Sequence, residues 1–515
     1  MTLPEPFATR LSGLLHGPLP APPLRGSGRA VARLFDRLLA AVFLVAWVSL
    51  GVQVDVLLGA RGLLPAAPWA EAVRVNGTPF REVPSLFVLL GASDGLLHAG
   101  IAAGVALAVL ALAGVAPRVC FGLSTLLYLG YAVACRTFLG FQWDNLLLEC
   151  GLLAALLPRD RRAPWAHLLF RVLLFKLYFE SGIAKWQSPL GDWHDGSAMT
   201  FYYETAPLPA RLGWYAHALP PFFHRFESRF TLFFELAVPP AIFGPRRLRL
   251  AALSLFTLFQ AVNLATASYG FFCYLALALH LFLLDDADVV RLRSAALRRF
   301  PRLRRARAWQ RWIDLRLHRR IPAPPAARRW AAAGVTFAYL AASFLDSIAH
   351  FSGSRQMAED VQPLRSIFAP FRVVNTYHLF GAITRERIEP EIQTFDGETW
   401  TAQDLRHKPG DVRRPPHLVA PHQPRVDFQL WFYGLSYRHG TPPYVAALVE
   451  RVCHAPAAVQ PLFAGKLPDL PVAVRLAFFR YHFTTADERA RTGAWWRREL
   501  LEETRPVGCL GRTTP

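Results

Sequence analysis

The sequence predicts a polytopic α-helical membrane protein of about eight to nine spans that ends in a soluble domain of mixed α/β structure. Three observations carry the prediction. Hydrophobic residues make up 53% of the chain and charged ones 18%, against about 25% charged in ordinary soluble proteins. Long stretches free of Asp, Glu, Lys and Arg recur between residues 38 and 284. Beyond residue 351 the pattern changes to short alternating runs punctuated by turn residues, as in a globular domain.

The spans follow in order. Residues 38–54 carry no charge and can cross a hydrocarbon core of about 30 Å with interfacial flanks. Residues 99–116 and 119–136 form two more, separated by Pro117-Arg118, and a shorter apolar segment occupies 145–157. The run 166–182 is apolar but carries Arg171, Lys176 and Glu180, and 230–243 carries Glu235. Residues 250–284 hold no charge at all and are too long for one span. They divide into two about a polar turn from Asn263 to Gly270. A linker, 285–329, holds 14 arginines and leads to a last span within 330–351. No apolar core followed by a small-residue cleavage site occurs in the first 30 residues, so the first span is expected to act as its own signal.

The net charge of +20 would suggest nucleic acid as a partner in a soluble protein. Here only Lys176, Lys185, Lys408 and Lys466 are lysines, and the arginines flank apolar segments, which points to membrane orientation. With segment 1–30 cytoplasmic and nine crossings, Arg25, Arg29, Arg33, Arg37, Arg118, Arg159, Arg161, Arg162, Arg246, Arg247, Arg249 and the linker all fall inside. Loops 55–97 and 183–227 and the tail 352–515 then fall outside, and segment 145–157 is the crossing on which the count turns. The bilayer is the expected partner and nucleic acid is not.

Within the tail, residues 388–395 alternate, Asp396-Gly397 is a hairpin turn, and 398–405 continue the pattern. Helical periodicity follows in 427–437 and 444–453, and a strand in 474–483. Cys453 and Cys509 can pair if the tail faces an oxidising compartment.

Ionisable groups at membrane depth are costly and signal function or internal pairing. Arg136, Asp144, Glu149, Arg171, Lys176, Glu180, Lys185 and Glu235 balance in sign, which favours pairing, and Lys176 and Glu180 stand i,i+4. The aromatic-rich outer loop, with Trp193, Tyr203 and Glu204, reads equally as an interfacial belt or a shaped binding surface. The GxSxG match at Gly91 to Gly95 lies at a loop-to-span junction, where a nucleophile elbow does not belong. His417 and His422 stand among prolines without clustered ligands, so no metal is expected there.

Ordered motifs in both halves resemble the lipase maturation factor family. They are Phe141-Gln142-Trp143-Asp144 with Leu147-Leu148-Glu149 and Gly151, Ser181-Gly182 with Lys185, and Tyr203-Glu204-Thr205 with Pro207-Leu208-Pro209. Phe243-Gly244-Pro245-Arg246-Arg247 follows, then in the tail Asn375-Thr376-Tyr377 with Leu379-Phe380, Lys408-Pro409-Gly410, and Ala420-Pro421-His422-Gln423-Pro424-Arg425 with Asp427. Ala206 and Ser268 depart from residues usual in the family. The resemblance implies a membrane-embedded factor for folding and assembly of certain dimeric lipases, with an exported client such as a lipase as partner, no cofactor and no catalytic residues to carry over. It makes Gln142, Trp143, Asp144, Glu149, Lys185, Trp193, Tyr203, Glu204, His422, Gln423, Arg425 and Asp427 the candidate binding or functional residues.

The Arg-, Ala- and Pro-rich composition suggests a GC-rich bacterial genome, hence an inner membrane with the tail periplasmic; in an animal cell the endoplasmic reticulum membrane corresponds. A second, short resemblance competes. Tyr178 to Lys185 with Asp192-Trp193, Gly196 and Met199 is similar to the active-site lysine segment of vitamin K-dependent gamma-carboxylases. It implies a membrane enzyme with Lys185 as general base on a lipid or quinone-like substrate. A transporter rests only on the buried charges, without an inverted repeat to support it.

Overall fold

The computed structural model describes residues 28–156, 164–299 and 326–509. The segment up to residue 27 with Arg25, the loop arginines Arg159, Arg161 and Arg162, and linker residues 300–325 lie outside the described residues.

The amino-terminal part is a helical bundle: α1 (Arg29–Gly51), α2 (Asp94–Ala113), α3 (Pro117–Ala134), α4 (Gln142–Leu156), α5 (Pro164–Trp186), α6 (Pro221–Ala237), α7 (Arg246–Thr266), α8 (Phe272–Leu279) and, after the linker, α9 (Ala326–Phe351). Helix α1 starts earlier than the uncharged run at 38 because its first turns carry Arg29, Arg33 and Arg37 in an interfacial stretch. The serine of the GxSxG match caps a helix: Ser93 Oγ accepts from Leu96 N–H at 3.4 Å at the start of α2, which ends at Gly114 in the left-handed region (φ 87°). Pro117 at the first position of α3 needs no partner for an N–H it lacks. Small residues bring the helices close. A Cβ on Gly104 of α2 would fall 2.2 Å from the Trp47 ring of α1, whose indole N–H donates to Ser124 Oγ of α3 at 2.9 Å. Among the described residues, α1, α2 and α7 are long and apolar enough to cross a membrane by length and composition alone. Several other helices are shorter or carry buried charge.

Contacts at the helix ends define two poles. At one, Asp286 Oδ1 accepts from Ala30 N–H of α1, Arg118 donates to Ala155 O, Arg171 to Phe282 O, and Arg249 to Asp285. At the other, Ser49, Ala132, Gln142, Lys185 and Phe351 bond to or beside the tail. Helix α4, 15 residues and therefore about 22 Å long, reaches from one pole at Gln142 to the other at Ala155.

The tail begins with α10 (Arg355–Phe368) and builds an antiparallel sheet of β1 (Arg387–Phe395), β2 (Trp400–Gln403), β3 (Ala473–Phe483) and β4 (Trp496–Glu503), in the order β2-β1-β3-β4, with β5 (Val507–Gly508) also on β3. The expected hairpin is present, with Phe395 opposite Trp400 across Asp396-Gly397. Strand β4 is not apparent in the sequence, because its face alternation is hidden: apart from Trp496 and Leu501 it is exposed, and after Trp496 it reads Arg, Arg, Glu, Leu, Leu, Glu, Glu. Helices α11 (Arg425–Ser436) and α12 (Pro443–His454) pack on β1 and β3. Gly434 makes the α11 contact feasible, since a Cβ there would sit 2.0 Å from the Ile388 carbonyl oxygen. Cys453 of α12 and Cys509 form a disulfide, Cα–Cα 5.2 Å. One continuous hydrophobic core runs from the bundle into the tail, from Phe35 and Trp47 to Val445 and Phe478.

Candidate functional site

Between α10 and β1 the chain crosses the bundle pole as a strap, residues 372–383, mostly outside helix and strand. An extended backbone in such a place needs partners for its N–H and C=O groups, and side chains of the bundle and the outer loop, most of them buried, supply them. Glu180 accepts from Tyr377 N–H at 2.7 Å, Gln142 from His378 N–H at 2.8 Å, Ser181 Oγ from Leu379 N–H at 3.3 Å, and Asp192 from Ile383 N–H at 2.9 Å. Lys176 donates to Asn375 O at 2.7 Å, Lys185 to Leu379 O at 2.8 Å, and Trp193 Nε1 to Gly381 O at 3.0 Å. Lys176 and Glu180, expected to meet on one helix face, thus both reach the tail backbone. Glu149 is fully buried and accepts from Tyr377 OH at 2.6 Å, from Asn375 Nδ2 at 2.8 Å and from Tyr339 OH.

Arg372 and Arg387 were not singled out in the sequence. Arg372 takes a left-handed conformation (φ 51°), uncommon for a residue with a Cβ. Its guanidinium donates to Leu139 O, Ala132 O and Asn145 Oδ1 at 2.8 to 3.1 Å. A lone arginine in the apolar run Phe371 to Val374 was the available signal. Arg387, on the inward face of β1, donates to the carbonyls of Glu204 at 3.0 Å and Pro207 at 3.1 Å and pairs with Glu389, which also holds Lys408.

A second tie joins Arg425 to Asp144. The guanidinium grips the carboxylate through both oxygens at 2.6 and 2.8 Å, donates to Phe138 O, and reaches Tyr128 OH, which itself donates to Asp144 at 2.7 Å. This bidentate geometry is the strong form of an Arg–carboxylate pair. Around it, Gln423 N–H donates to Ser49 Oγ at 3.0 Å and His422 Nδ1 lies 2.9 Å from the same hydroxyl. The buried amide of Gln423 has no partner among the described residues. Asp427 accepts from His407 N–H at 3.0 Å; burial raises its carboxyl pKa to about 6, while burial lowers that of the neighbouring His407 to about 4.

The outer loop is ordered into short helices, Asp192–Asp195, Ala198–Thr205 and Arg211–His217. Tyr203 OH donates to Glu227 at 2.9 Å. Glu204 accepts from Phe483 N–H at 2.7 Å and pairs with His482 at 2.9 Å, tying the loop to β3. Lys185 is buried, 2.7 Å from Glu235 and 5.2 Å from the Trp193 ring centroid. A general base presents a lone pair to substrate; this ammonium is held by a carboxylate, a carbonyl and an aromatic face, so the enzyme reading is not favoured.

Beside the strap lies an open cleft of about 1790 Å³. Phe141 stacks on Trp143 at 4.7 Å and on Phe432 at 5.7 Å, forming one wall with Phe428; Arg136, Arg365 and Asp346 line other parts. Trp143 Nε1 in this wall is buried with no acceptor among the described residues. Gln142 and Trp143 therefore line the cleft, whereas Asp144, Glu149, Lys185, Trp193, Tyr203, Glu204, Gln423, Arg425 and Asp427 are buried away from it, Asp144, Glu149, Lys185, Trp193, Glu204 and Arg425 in contacts between the tail and the rest of the chain. His422 sits at the edge of the Arg425 tie.

Residues 30–291 match the lipase maturation factor transmembrane domain and residues 373–506 match the lipase maturation factor C-terminal domain. The chain is similar to lipase maturation factor 2 of Homo sapiens, 30% identical over 604 residues covering 94% of this chain and 84% of the relative. It is similar to lipase maturation factor 2 of Gallus gallus, 29% identical with 94% and 82% covered, and to lipase maturation factor 1 of Bos taurus, 30% identical with 90% and 86% covered. No solved structure matches.

Proposed function

The chain belongs to the lipase maturation factor family, and from that premise we propose that it is a membrane-bound maturation factor assisting folding and assembly of exported lipases. The observation that carries this reading is similarity to the named maturation factors over nearly the whole chain, bundle and tail together. The aromatic cleft suits such a role. Its stacked rings, with Phe432 exposed among them, can cover apolar segments of a partly folded client.

The protein is an integral membrane protein. Nine crossings with the tail extracytoplasmic are supported by the two poles, since Arg37, Arg118, Arg246 and Arg249 gather at one and the tail at the other. The Cys453–Cys509 disulfide suits an oxidising compartment. That compartment is the periplasmic side of an inner membrane in a bacterium and the endoplasmic reticulum lumen in an animal. Deleting the factor lowers the active fraction of an exported lipase without lowering its synthesis; unchanged specific activity of every exported lipase would overturn the reading.

A further inference from the structure

Helix α6 presents one face that the bundle does not cover. Phe222, Phe226, Phe230 and Phe233 are 72%, 60%, 43% and 64% exposed, and the exposed Arg225 and Arg229 fall between them on the same stripe, at spacings of three and four residues. An exposed phenylalanine row on a bundle helix of a membrane protein faces lipid. Two arginines at the head of such a row are a different matter, because a guanidinium cannot remain in hydrocarbon and must reach the headgroup layer. Side chains on a helix lean towards its amino terminus, which in α6 is the tail-bearing pole, so both guanidinium groups lean out of the apolar layer.

They arrive at a built pocket. A cavity of about 410 Å³ is lined by Arg225, Arg229, Pro221, Asp195, Ser197 and Thr200. Asp195 accepts from Ser197 N–H at 2.7 Å, and the buried Ser197 side chain also holds this carboxylate. Gly196 fits the loop against Arg225, whose Cα lies 3.4 Å from where a Cβ would be. Two cations, one carboxylate and the Thr200 hydroxyl thus line a space on the helix that carries the aromatic row.

We propose that this pocket binds the phosphate of a membrane phospholipid, with Arg225 and Arg229 as its cations, Thr200 as hydroxyl donor, and the acyl chains along Phe226, Phe230 and Phe233. The two cations outnumber the one carboxylate, Asp195, so the net charge complements a phosphodiester, and the aromatic row complements its chains. The site is separate from the cleft and from both ties of the tail.

The test is native mass spectrometry of the full chain in detergent, titrated with dioleoyl phosphatidylglycerol, dioleoylglycerol or inorganic phosphate. The wild-type protein should retain the phospholipid at least tenfold better than the diacylglycerol with the same chains. The R225Q/R229Q protein should lose that preference, while R225K/R229K, which keeps the charge, retains most of it. Arg211→Gln, a cation stacked on Trp495 away from the pocket, should change nothing. Equal retention by R225Q/R229Q of unchanged elution profile would overturn the proposal. So would displacement of the lipid by millimolar inorganic phosphate, which would make this a free phosphate site, or loss of lipase binding without loss of lipid, which would make it a protein surface.

Discussion

The two poles of the bundle are both rich in charge, yet they use it differently. At the tail-bearing pole Asp144, Glu149, Glu180, Lys176 and Lys185 are buried and bind groups some 200 to 300 residues away, in the strap and in α11. At the opposite pole Arg249 and Asp285 also form a buried pair and Arg171 is buried against Phe282 O, but their partners lie within the bundle; Arg246, 39% exposed, pairs with Asp288, and Arg118 bonds the end of a neighbouring helix. Buried ionic groups tolerate no loss of a partner, because the survivor is left uncompensated, whereas exposed ones are rescued by water. The first pole therefore fixes how the tail is seated, whereas the charges of the second tie bundle helices to one another, some of them buried and Arg246 exposed.

The largest expected effect follows from breaking the Asp144–Arg425 tie. Arg425→Met should cost about 3–5 kcal/mol, seen as a lowered unfolding midpoint in detergent. The Asp144→Asn/Arg425→Met double variant should lose less than the two single losses combined. A loss below about 1 kcal/mol in Arg425→Met would mean the pair behaves like the exposed pole. Next, replacing Cys453 and Cys509 together with serine should destabilise the tail by about 2–4 kcal/mol, because the bridge closes a long loop of the unfolded chain. Thermal unfolding of the reduced wild type should match that variant.

Glu149→Gln keeps the shape but removes a carboxylate that accepts from three donors, at a cost of about 2 kcal/mol. Protease cleavage within 372–383 should then be faster than in the wild type.

Acid gives a smaller effect. His407 has a folded pKa near 4 against about 6.5 unfolded, so its folded form disfavours the proton and stability falls as pH drops from about 6.5 to 4. His417 and His422 are lowered too, by burial first. Asp427, raised to about 6, works the other way, since its folded form holds a proton that the unfolded form releases until about pH 4. With three histidines against one carboxyl, and the rings partly exposed, the net loss should be about 1 kcal/mol. The His407→Gln protein should lose less on acidification than the wild type, as read by unfolding midpoints at pH 7 and 5. Smallest of all, Arg246→Gln should leave the midpoint unchanged, while a clear drop would erase the contrast between the poles.

Much of this was legible in the sequence. Charge at membrane depth drew attention to Asp144, Glu149, Lys176, Glu180, Lys185 and Glu235, and the balance of sign anticipated internal pairing such as Lys185–Glu235. What composition and spacing could not supply was the identity of the partners. Local rules see three or four residues along a helix, so Lys176 and Glu180 read as a pair; the strap that takes them is nearly two hundred residues downstream. Arg372 and Arg387 escaped because their partners are backbone carbonyls, which carry no signature in a sequence. Strand β4 escaped because both of its faces mix charged residues with a leucine and little of it is buried. The hairpin at Asp396-Gly397 was legible because turn chemistry is local.

Above all, the strap is held by side chains of the bundle and the outer loop, most of them buried. Hydrogen–deuterium exchange of the full chain in detergent reads this at the amides of Tyr377, His378, Leu379 and Ile383. They should be protected as strongly as amides in the middle of α5, and Glu180→Gln should expose Tyr377 first. Exchange of all four at the rate of an open loop would contradict it.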